Sequence, residues 1–204
     1  MIFGKQEKIA NLNDVLNQSW RLLHSGVCNI RHPFCRPSLA TMDDNKPEVR
    51  TVILRGFSEK ERTLICYCDS RSPKISQIRS NPNVSWLFYH PKMWLQLRLS
   101  GTALVHTNDE AAESQWKRVS PTSRINYCSE FPPGSPIEKP TLDPSRRLRD
   151  KATKLLDHQE ARKNFAIIVC RFDQMDWLLL KLTGHLRARF HWLDHLMEAS
   201  WVIP

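Results

Sequence analysis

The sequence predicts a mainly β protein with flanking helices, and three observations along its 204 residues indicate this class. Segments with strand periodicity outnumber helical segments in the first half of the chain. Two pairs of these segments are separated by short polar turns, the pattern of antiparallel hairpins. Further strand-like segments follow near the end of the chain. We therefore expect a single antiparallel α+β domain over residues 1–204, with a helix near its N-terminus.

The helices are predicted from apolar spacing and from start and stop signals. Residues 12–23 place apolar side chains at helical spacing. Residues 72–80 form a short helix that ends before Pro82. Residues 108–119 open with a capping signal, and a charged helix is expected over roughly residues 145–163. Helices therefore flank the strands.

The strands and the long loop are predicted from alternation and from turn residues. Strands are expected over residues 37–42, 49–57, 63–69, 84–89, 94–105, 165–172, 174–182 and 185–192. A polar turn over residues 43–47 joins the first two into a hairpin, and the turn around Pro91 joins the fourth and fifth. Residues 121–144 contain six Pro and one Gly, which favours an ordered loop that could cover a substrate.

Composition limits the class of protein and its compartment. An apolar fraction of 41% with seven Trp is typical of a globular chain. No apolar run approaches the roughly 20 residues that a membrane span needs. Residues 1–16 lack the apolar segment of a secretory signal. We expect a cytoplasmic protein without a membrane partner.

The net charge of +9 raises the possibility of a nucleic-acid partner. Lys and Arg are nevertheless scattered along the chain. The one short cluster comprises Arg146, Arg147, Arg149 and Lys151 and is assigned to a solvated helix. We expect no nucleic-acid partner, and one bound phosphate could account for only part of the charge.

The six cysteines are expected to be reduced thiols, because a cytosolic chain without a C-x-x-C pair favours neither a disulfide framework nor a zinc site. Cys66 and Cys68 would share one face of a strand. Two more ligands for a metal are not evident nearby, so no metal site is predicted.

Four short motifs follow one another in the order of a known cofactor site. They are R-T-V-I-L-R at residues 50–55, Y-C-D at residues 67–69, S-R-S-P-K at residues 70–74, and Q-L-R-L-S-G at residues 96–101. The first two fall on strands, the third opens a helix, and the fourth begins 22 residues beyond Lys74 on a hairpin arm. This order resembles the FMN-binding core of the pyridoxamine 5'-phosphate oxidase family.

The resemblance implies a split β-barrel homodimer with FMN at the dimer interface and a small-molecule substrate. Backbone groups of residues 52–55 would contact the pyrimidine edge of the flavin, and Gln96 would come from the opposite subunit. The implied cofactor-binding residues are Arg50, Thr51, Val52, Leu54, Arg55, Tyr67, Cys68, Ser72, Lys74, Gln96 and Arg189.

Elementary chemistry agrees with the phosphate and ring assignments. A flavin phosphate is a dianion, and Arg50 and Lys74 can supply charge-assisted hydrogen bonds beside Ser72 at a helix N-terminus. Side chains alternate along residues 50–55, so one face serves the core and the other face or the backbone serves the ligand. Arg55 is expected near N1 and C2=O of the ring, where positive charge stabilises the reduced flavin.

The phosphate motif departs from the family at one position. The family has Ser-Arg-Lys where this chain has Ser72-Pro73-Lys74, so one cation is missing. Arg71 or Arg189 could replace it.

The substrate motifs depart further. The family's Tyr, Arg and Ser trio for the substrate phosphate aligns with Trp116, Ser120 and Arg124. Its C-terminal R-x-H-x-R element becomes residues 185–189, with Arg187 in place of the substrate His. Arg124 and Arg187 are the candidate substrate contacts, and we expect weak or absent oxidation of pyridoxamine 5'-phosphate.

Three functions stay open from the sequence. The first is an FMN-dependent oxidase acting on a phosphorylated amine, and the second is an FMN reductase using NAD(P)H. The third is a non-catalytic flavin or haem binding protein. No Ser-His-Asp or Cys-His constellation is evident, so no catalytic side chain is assigned and two-electron transfer through FMN is the expected chemistry.

Overall fold

The computed structural model describes residues 9–137, 161–194 and 196–204. Its strands are β1 (Ser38–Asp43), β2 (Lys46–Thr51), β3 (Leu54–Ser58), β4 (Thr63–Asp69), β5 (Asn83–His90), β6 (Leu95–His106), β7 (Phe165–Leu179), β8 (Leu186–Leu193) and β9 (Leu196–Val202). Its helices are α1 (Leu12–Cys28), α2 (Pro73–Ser80), α3 (Glu110–Trp116) and α4 (Pro121–Arg124), with short 3-10 turns at Pro33–Cys35 and Ile125–Tyr127.

The nine strands form one antiparallel sheet that does not close. Its order is β2-β1-β5-β6-β7-β4-β3, while β8 pairs with β7 and β9 pairs with β8. The 15-residue β7 organises the sheet, because its first half pairs with β4 and its second half pairs with β8. This arrangement confirms the predicted fold class, a mainly β split barrel with flanking helices.

A β-bulge in the middle of β7 marks the point where its two halves diverge. Ser100 of β6 is opposite Gln174, while the next residue, Gly101, is opposite Phe172, so Asp173 is the extra residue. A Cβ at Gly101 would lie 2.1 Å from the Arg171 carbonyl oxygen. Only glycine therefore allows the two backbones to approach this closely.

The main core lies between the inner face of the sheet and α1. Alternate residues of β5, β6 and β7 point into it, including the fully buried Trp86 and Trp177. From α1, Trp20 packs against Phe57 and Phe172 with ring centroids 5.5 and 6.0 Å apart. A capping box at the start of α1 fixes where the helix begins. A smaller cluster around Trp116 and Phe165 lies beneath α3.

The structure corrects several predicted boundaries. The predicted strand over residues 49–57 is two strands, since β2 ends at Thr51 and pairs with β1 whereas β3 pairs with β4. The predicted strands over residues 165–172 and 174–182 are the single strand β7, because the bulge keeps the chain in the sheet. Strand β9 was not predicted.

Two other predictions concern helical and basic segments. The helix expected over residues 108–119 is the shorter α3, and the predicted loop opens with α4 and a 3-10 turn. Most of the charged helix expected over residues 145–163, with its basic cluster, lies outside the described residues.

Among the helices that are described, none combines the length and apolarity that crossing a bilayer would require.

Candidate functional site

Arg50 on β2 is hydrogen-bonded to the buried side chains of Thr41 and Gln77 on the core-facing side of the sheet. Its guanidinium donates to the Leu39 carbonyl oxygen at 3.4 Å, to Thr41 Oγ1, and to Gln77 Oε1 at 3.0 Å. Thr41 donates in turn to Gln77 at 2.7 Å. Burial lowers the pKa of Arg50, partly offset by the charge of Glu48. Within the described ranges Arg50 forms no ion pair with a carboxylate.

Ser72 and Lys74 lie at the start of α2. Ser72 is the N-cap residue and is 6% exposed, but its hydroxyl does not cap the helix. Instead it accepts a hydrogen bond of 2.5 Å from Lys74 Nζ. Lys74 also lacks a carboxylate partner in the part of the chain that the structure describes. The donor set of this end of the fold, two cations and a hydroxyl, suits a phosphate dianion.

Arg71, a candidate for the missing phosphate cation, is engaged elsewhere. Its guanidinium forms a two-pronged ion pair with Asp69, at 3.0 Å from Nε and 2.7 Å from Nη2. It also donates to the carbonyl oxygens of Ser129 and Glu130. Hydrogen bonding to Asp69 raises the pKa of Arg71. Arg71 therefore ties the loop after α4 to the end of β4.

Side chains alternate along residues 50–55 as predicted, although the end of β2 and the start of β3 share this segment. Val52 and Leu54 are buried in the core, whereas Thr51, Ile53 and Arg55 are exposed. Arg55 is the extra residue of a second β-bulge, between Leu54 and Gly56 opposite β4. Bulges re-aim side chains and occur often beside active sites. The bulge leaves Arg55 exposed, with its guanidinium 5.5 Å from the centre of the Tyr67 ring.

Tyr67 and Cys68 point to opposite sides of β4. The Tyr67 hydroxyl donates to Gln115 Oε1 at 2.9 Å, and its ring packs 5.2 Å from that of Phe165. Cys68 faces the core, where burial raises the pKa of its thiol to about 12. All six cysteines are free thiols. At this position the cofactor could therefore meet backbone groups, but not the Cys68 thiolate.

The remaining predicted residues lie on the outer face of the sheet. Gln96 on β6 is partly exposed there, as are Arg187 and Arg189 on β8. Asp176 on β7 joins the two arginines to Arg98 on β6. The Asp176 carboxylate accepts from Arg187 at 2.9 and 2.7 Å, from Arg98 at 2.9 Å and from Arg189 at 3.2 Å. We call these four residues the Asp176 cluster.

A groove of about 400 Å³ runs beside the Asp176 cluster. Its lining residues include Arg98, Asp176, Arg189, Ser85, Ser100 and His191. Met175 and Phe190 also line this open groove, so its lining is about equally polar and apolar.

Five of the predicted cofactor residues thus form two separate groups. Arg50, Ser72 and Lys74 lie at the core-facing side near α2, while Gln96 and Arg189 lie on the outer face of the sheet. No hydrogen bond or ion pair among the described residues links the two groups.

The three residues predicted to align with the family's substrate trio all make internal contacts. Trp116 is 7% exposed and packs 5.0 Å from the Phe165 ring. Ser120 caps α4. Arg124 donates to the Trp116 and Val119 carbonyl oxygens at 3.1 Å each and stacks 4.7 Å above the Trp116 ring.

The sequence did not point to Thr41, Gln77 or Asp176. Each is a single polar residue that belongs to no recognised motif, and its partners lie on other strands or helices. Arg98 lay inside the Q-L-R-L-S-G motif, so its place in that motif was the available signal.

Comparison with known proteins matches one family over part of the chain. Residues 17–107 match the family model described as the pyridoxamine 5'-phosphate oxidase, FMN-binding domain. The predicted resemblance to this family is confirmed. FMN is accordingly the cofactor of the matched domain, and the donors around Arg50 and Lys74 fit its phosphate.

Curated relatives agree over part of their length. The pyridoxine/pyridoxamine 5'-phosphate oxidase of Psychrobacter cryohalolentis is 38% identical over 91 residues, covering 44% of this chain and 41% of the relative. Pyridoxine/pyridoxamine 5'-phosphate oxidase 2 of Arabidopsis thaliana is 32% identical over 121 residues, covering 52% of this chain and 61% of the relative. The chain therefore spans about half the length of these relatives.

Solved structures match nearly the whole chain and support the fold. A pyridoxamine 5'-phosphate oxidase-related, FMN-binding protein from Nostoc punctiforme has a TM-score of 0.73 at 22% identity, covering 97% of this chain and 100% of its own. PhzG from Burkholderia lata, solved with tetrahydrophenazine-1-carboxylic acid, has a TM-score of 0.71 at 17% identity, covering 98% of this chain and 100% of its own.

Proposed function

We propose that this protein is an FMN-dependent oxidoreductase that acts as a homodimer on a small-molecule substrate. The observation that carries the proposal is the donor set around α2: Arg50 is hydrogen-bonded to Gln77 of this helix, Lys74 is hydrogen-bonded to its N-cap residue Ser72, and neither cation forms an ion pair with a carboxylate among the described residues. When bound, FMN supplies two-electron chemistry at N5, and the protein supplies orientation and electrostatics.

The proposed cofactor residues have distinct tasks. Arg50 and Lys74 neutralise the phosphate, and Ser72 adds a hydroxyl donor or acceptor. Arg55 places positive charge beside the pyrimidine edge of the ring. The full proposed set is Arg50, Thr51, Val52, Leu54, Arg55, Tyr67, Cys68, Ser72, Lys74, Gln96 and Arg189.

The separation of the two groups supports the proposed homodimer. One copy presents Arg50 and Lys74 on one side of the sheet and Gln96 on the other, so a flavin touching both groups needs two copies. Leu87 and Tyr89 are 40% and 45% exposed on the outer face and could be covered by the second copy. Light scattering at low micromolar concentration should give twice the monomer mass, whereas a monomer with bound FMN would contradict this arrangement.

The proposed substrate is not pyridoxamine 5'-phosphate. The positions that hold its phosphate in the family carry Trp116, Ser120 and Arg124, all with internal partners. Arg187 is the proposed substrate contact, while Arg124 could serve only by leaving its two carbonyl partners. The aromatic carboxylate bound to PhzG indicates one class of compound to test.

A second candidate is a flavin-binding protein without turnover, which the occupied substrate positions favour. An FMN reductase is a third. NADPH-dependent bleaching of the flavin would support the reductase, and a haem Soret band would support a haem-binding role. Oxygen consumption with a substrate would support the oxidase.

The spectrum of the purified protein tests the central proposal. The protein should be yellow and should release FMN rather than FAD on denaturation, because the motif provides for one terminal phosphate and no adenine. A colourless protein that also fails to bind added FMN would refute it. We also propose one domain and a cytoplasmic location, which free cysteines favour.

A further inference from the structure

The Asp176 carboxylate is hydrogen-bonded to three arginine side chains on the outer face of the sheet. Its two oxygens accept four hydrogen bonds from the three guanidinium groups, and the residue is 7% exposed. Burial alone would raise the pKa of Asp176, but hydrogen bonds and charges from Arg187, Arg189 and Arg98 lower it below its ordinary value. The carboxylate is therefore ionised at neutral pH and orients all three side chains.

The Asp176 cluster has a net positive charge, and some of its guanidinium N–H groups are not bonded to Asp176. Three guanidinium groups around one carboxylate leave a net charge of +2. The Arg98 and Arg189 side chains are 46% and 56% exposed, and each donates only one hydrogen bond to Asp176. Glu198 lines an adjoining groove with Arg189, but no ion pair links it to the cluster within the described ranges. Such a surface suits an anion.

We propose that Asp176 is a positioning residue that orients Arg98 and Arg187 as a preformed site for an anionic group, a carboxylate or a phosphate, of the substrate, next to Arg189, which is proposed to contact the flavin. This inference rests on the proposed function, because it assigns a substrate class to the same flavin site. The groove of about 400 Å³ beside the cluster gives the substrate room on the outer face.

The direction in which Asp176→Asn changes anion affinity distinguishes a site that depends on oriented arginines from one that depends on net charge alone. Asp176→Asn removes a negative charge, so a site that works by net charge alone would bind anions more tightly. A site that depends on the carboxylate to orient the arginines would bind them more weakly, by roughly tenfold or more. Asp173→Asn is the matched control, since Asp173 is exposed three residues earlier on β7 and changes the charge equally.

The experiment is calorimetric titration of the FMN-loaded protein with benzoate and, separately, with inorganic phosphate at constant ionic strength. Loading with FMN keeps the flavin phosphate site occupied. We expect saturable binding of at least one probe to the wild type, and the better probe distinguishes a carboxylate from a phosphate. Asp176→Asn should weaken this binding and Asp173→Asn should leave it within about twofold.

A second pair of variants covers the case in which Asp176→Asn does not fold. Arg98→Gln should weaken the binding about tenfold, while Arg171→Gln, which removes an exposed arginine outside the cluster, should not. Absence of saturable binding to the wild type, or unchanged or tighter binding by folded Asp176→Asn, would overturn the inference. If the protein takes up no FMN, the proposed function fails, and benzoate titration of the FMN-free variants still decides the inference.

Discussion

Replacing Lys74 with Met gives the sharpest test of the phosphate assignment. The substitution removes the ammonium group, keeps most of the apolar stem, and exchanges two residues of similar helix propensity. The one described partner of Lys74 Nζ is the Ser72 hydroxyl, so the free energy of unfolding should change by about 1 kcal/mol or less. A charged hydrogen bond to a phosphate contributes roughly 1.5–3 kcal/mol, so FMN affinity should fall about 10- to 150-fold.

The assay is quenching of flavin fluorescence, measured with both FMN and riboflavin. Riboflavin lacks the phosphate, so its affinity should be nearly the same in wild type and Lys74→Met, and the preference for FMN should largely disappear. Lys60→Met, in the exposed turn between β3 and β4, is the control for loss of one positive charge. Equal loss of FMN and riboflavin binding, or undiminished FMN binding, would show that Lys74 does not contact the phosphate.

Three further outcomes are expected. Arg50→Ala should weaken FMN binding and also lower the thermal unfolding temperature, because it removes the charged donor to buried Thr41 and Gln77, a loss of roughly 1–3 kcal/mol; an unchanged melting temperature would argue against this role. Gly101→Ala should destabilise the fold by more than about 3 kcal/mol in urea unfolding, since its Cβ would meet the Arg171 carbonyl at 2.1 Å. An oxygen electrode should record little or no consumption with micromolar pyridoxamine 5'-phosphate, and turnover at ordinary oxidase rates would refute the proposed loss of its phosphate site.

The sequence predicted local features better than their partners. Helix α1 and the hairpin of β5 and β6 were predicted because their signals, apolar periodicity and turn residues, lie within short consecutive segments of the sequence. The break between β2 and β3 was missed because residues 49–57 have one unbroken strand pattern. It arises because β2 pairs with β1 whereas β3 pairs with β4, a choice made by residues far along the chain.

In the candidate site, too, the sequence identified residues better than it identified their contacts. Arg50, Lys74 and Gln96 could be identified because their spacing along the chain resembles a family motif. The contacts of Arg124 could not, since the carbonyl oxygens at the end of α3 become its partners only when the loop folds back. Whether a cationic residue at a motif-like position can meet a ligand therefore depends on the partners that the fold gives it.

The two β-bulges bear on the proposal that the site uses both faces of the sheet. The bulge at Arg55 leaves a cation exposed beside Tyr67, and the bulge at Asp173 divides β7 into a half that pairs with β4 and a half that pairs with β8. The first half of β7 supports the strand that leads to Ser72 and Lys74, and the second half carries Asp176 on the outer face. One copy presents the two groups on different faces of its sheet, which is the physical reason for proposing that two copies form the complete site.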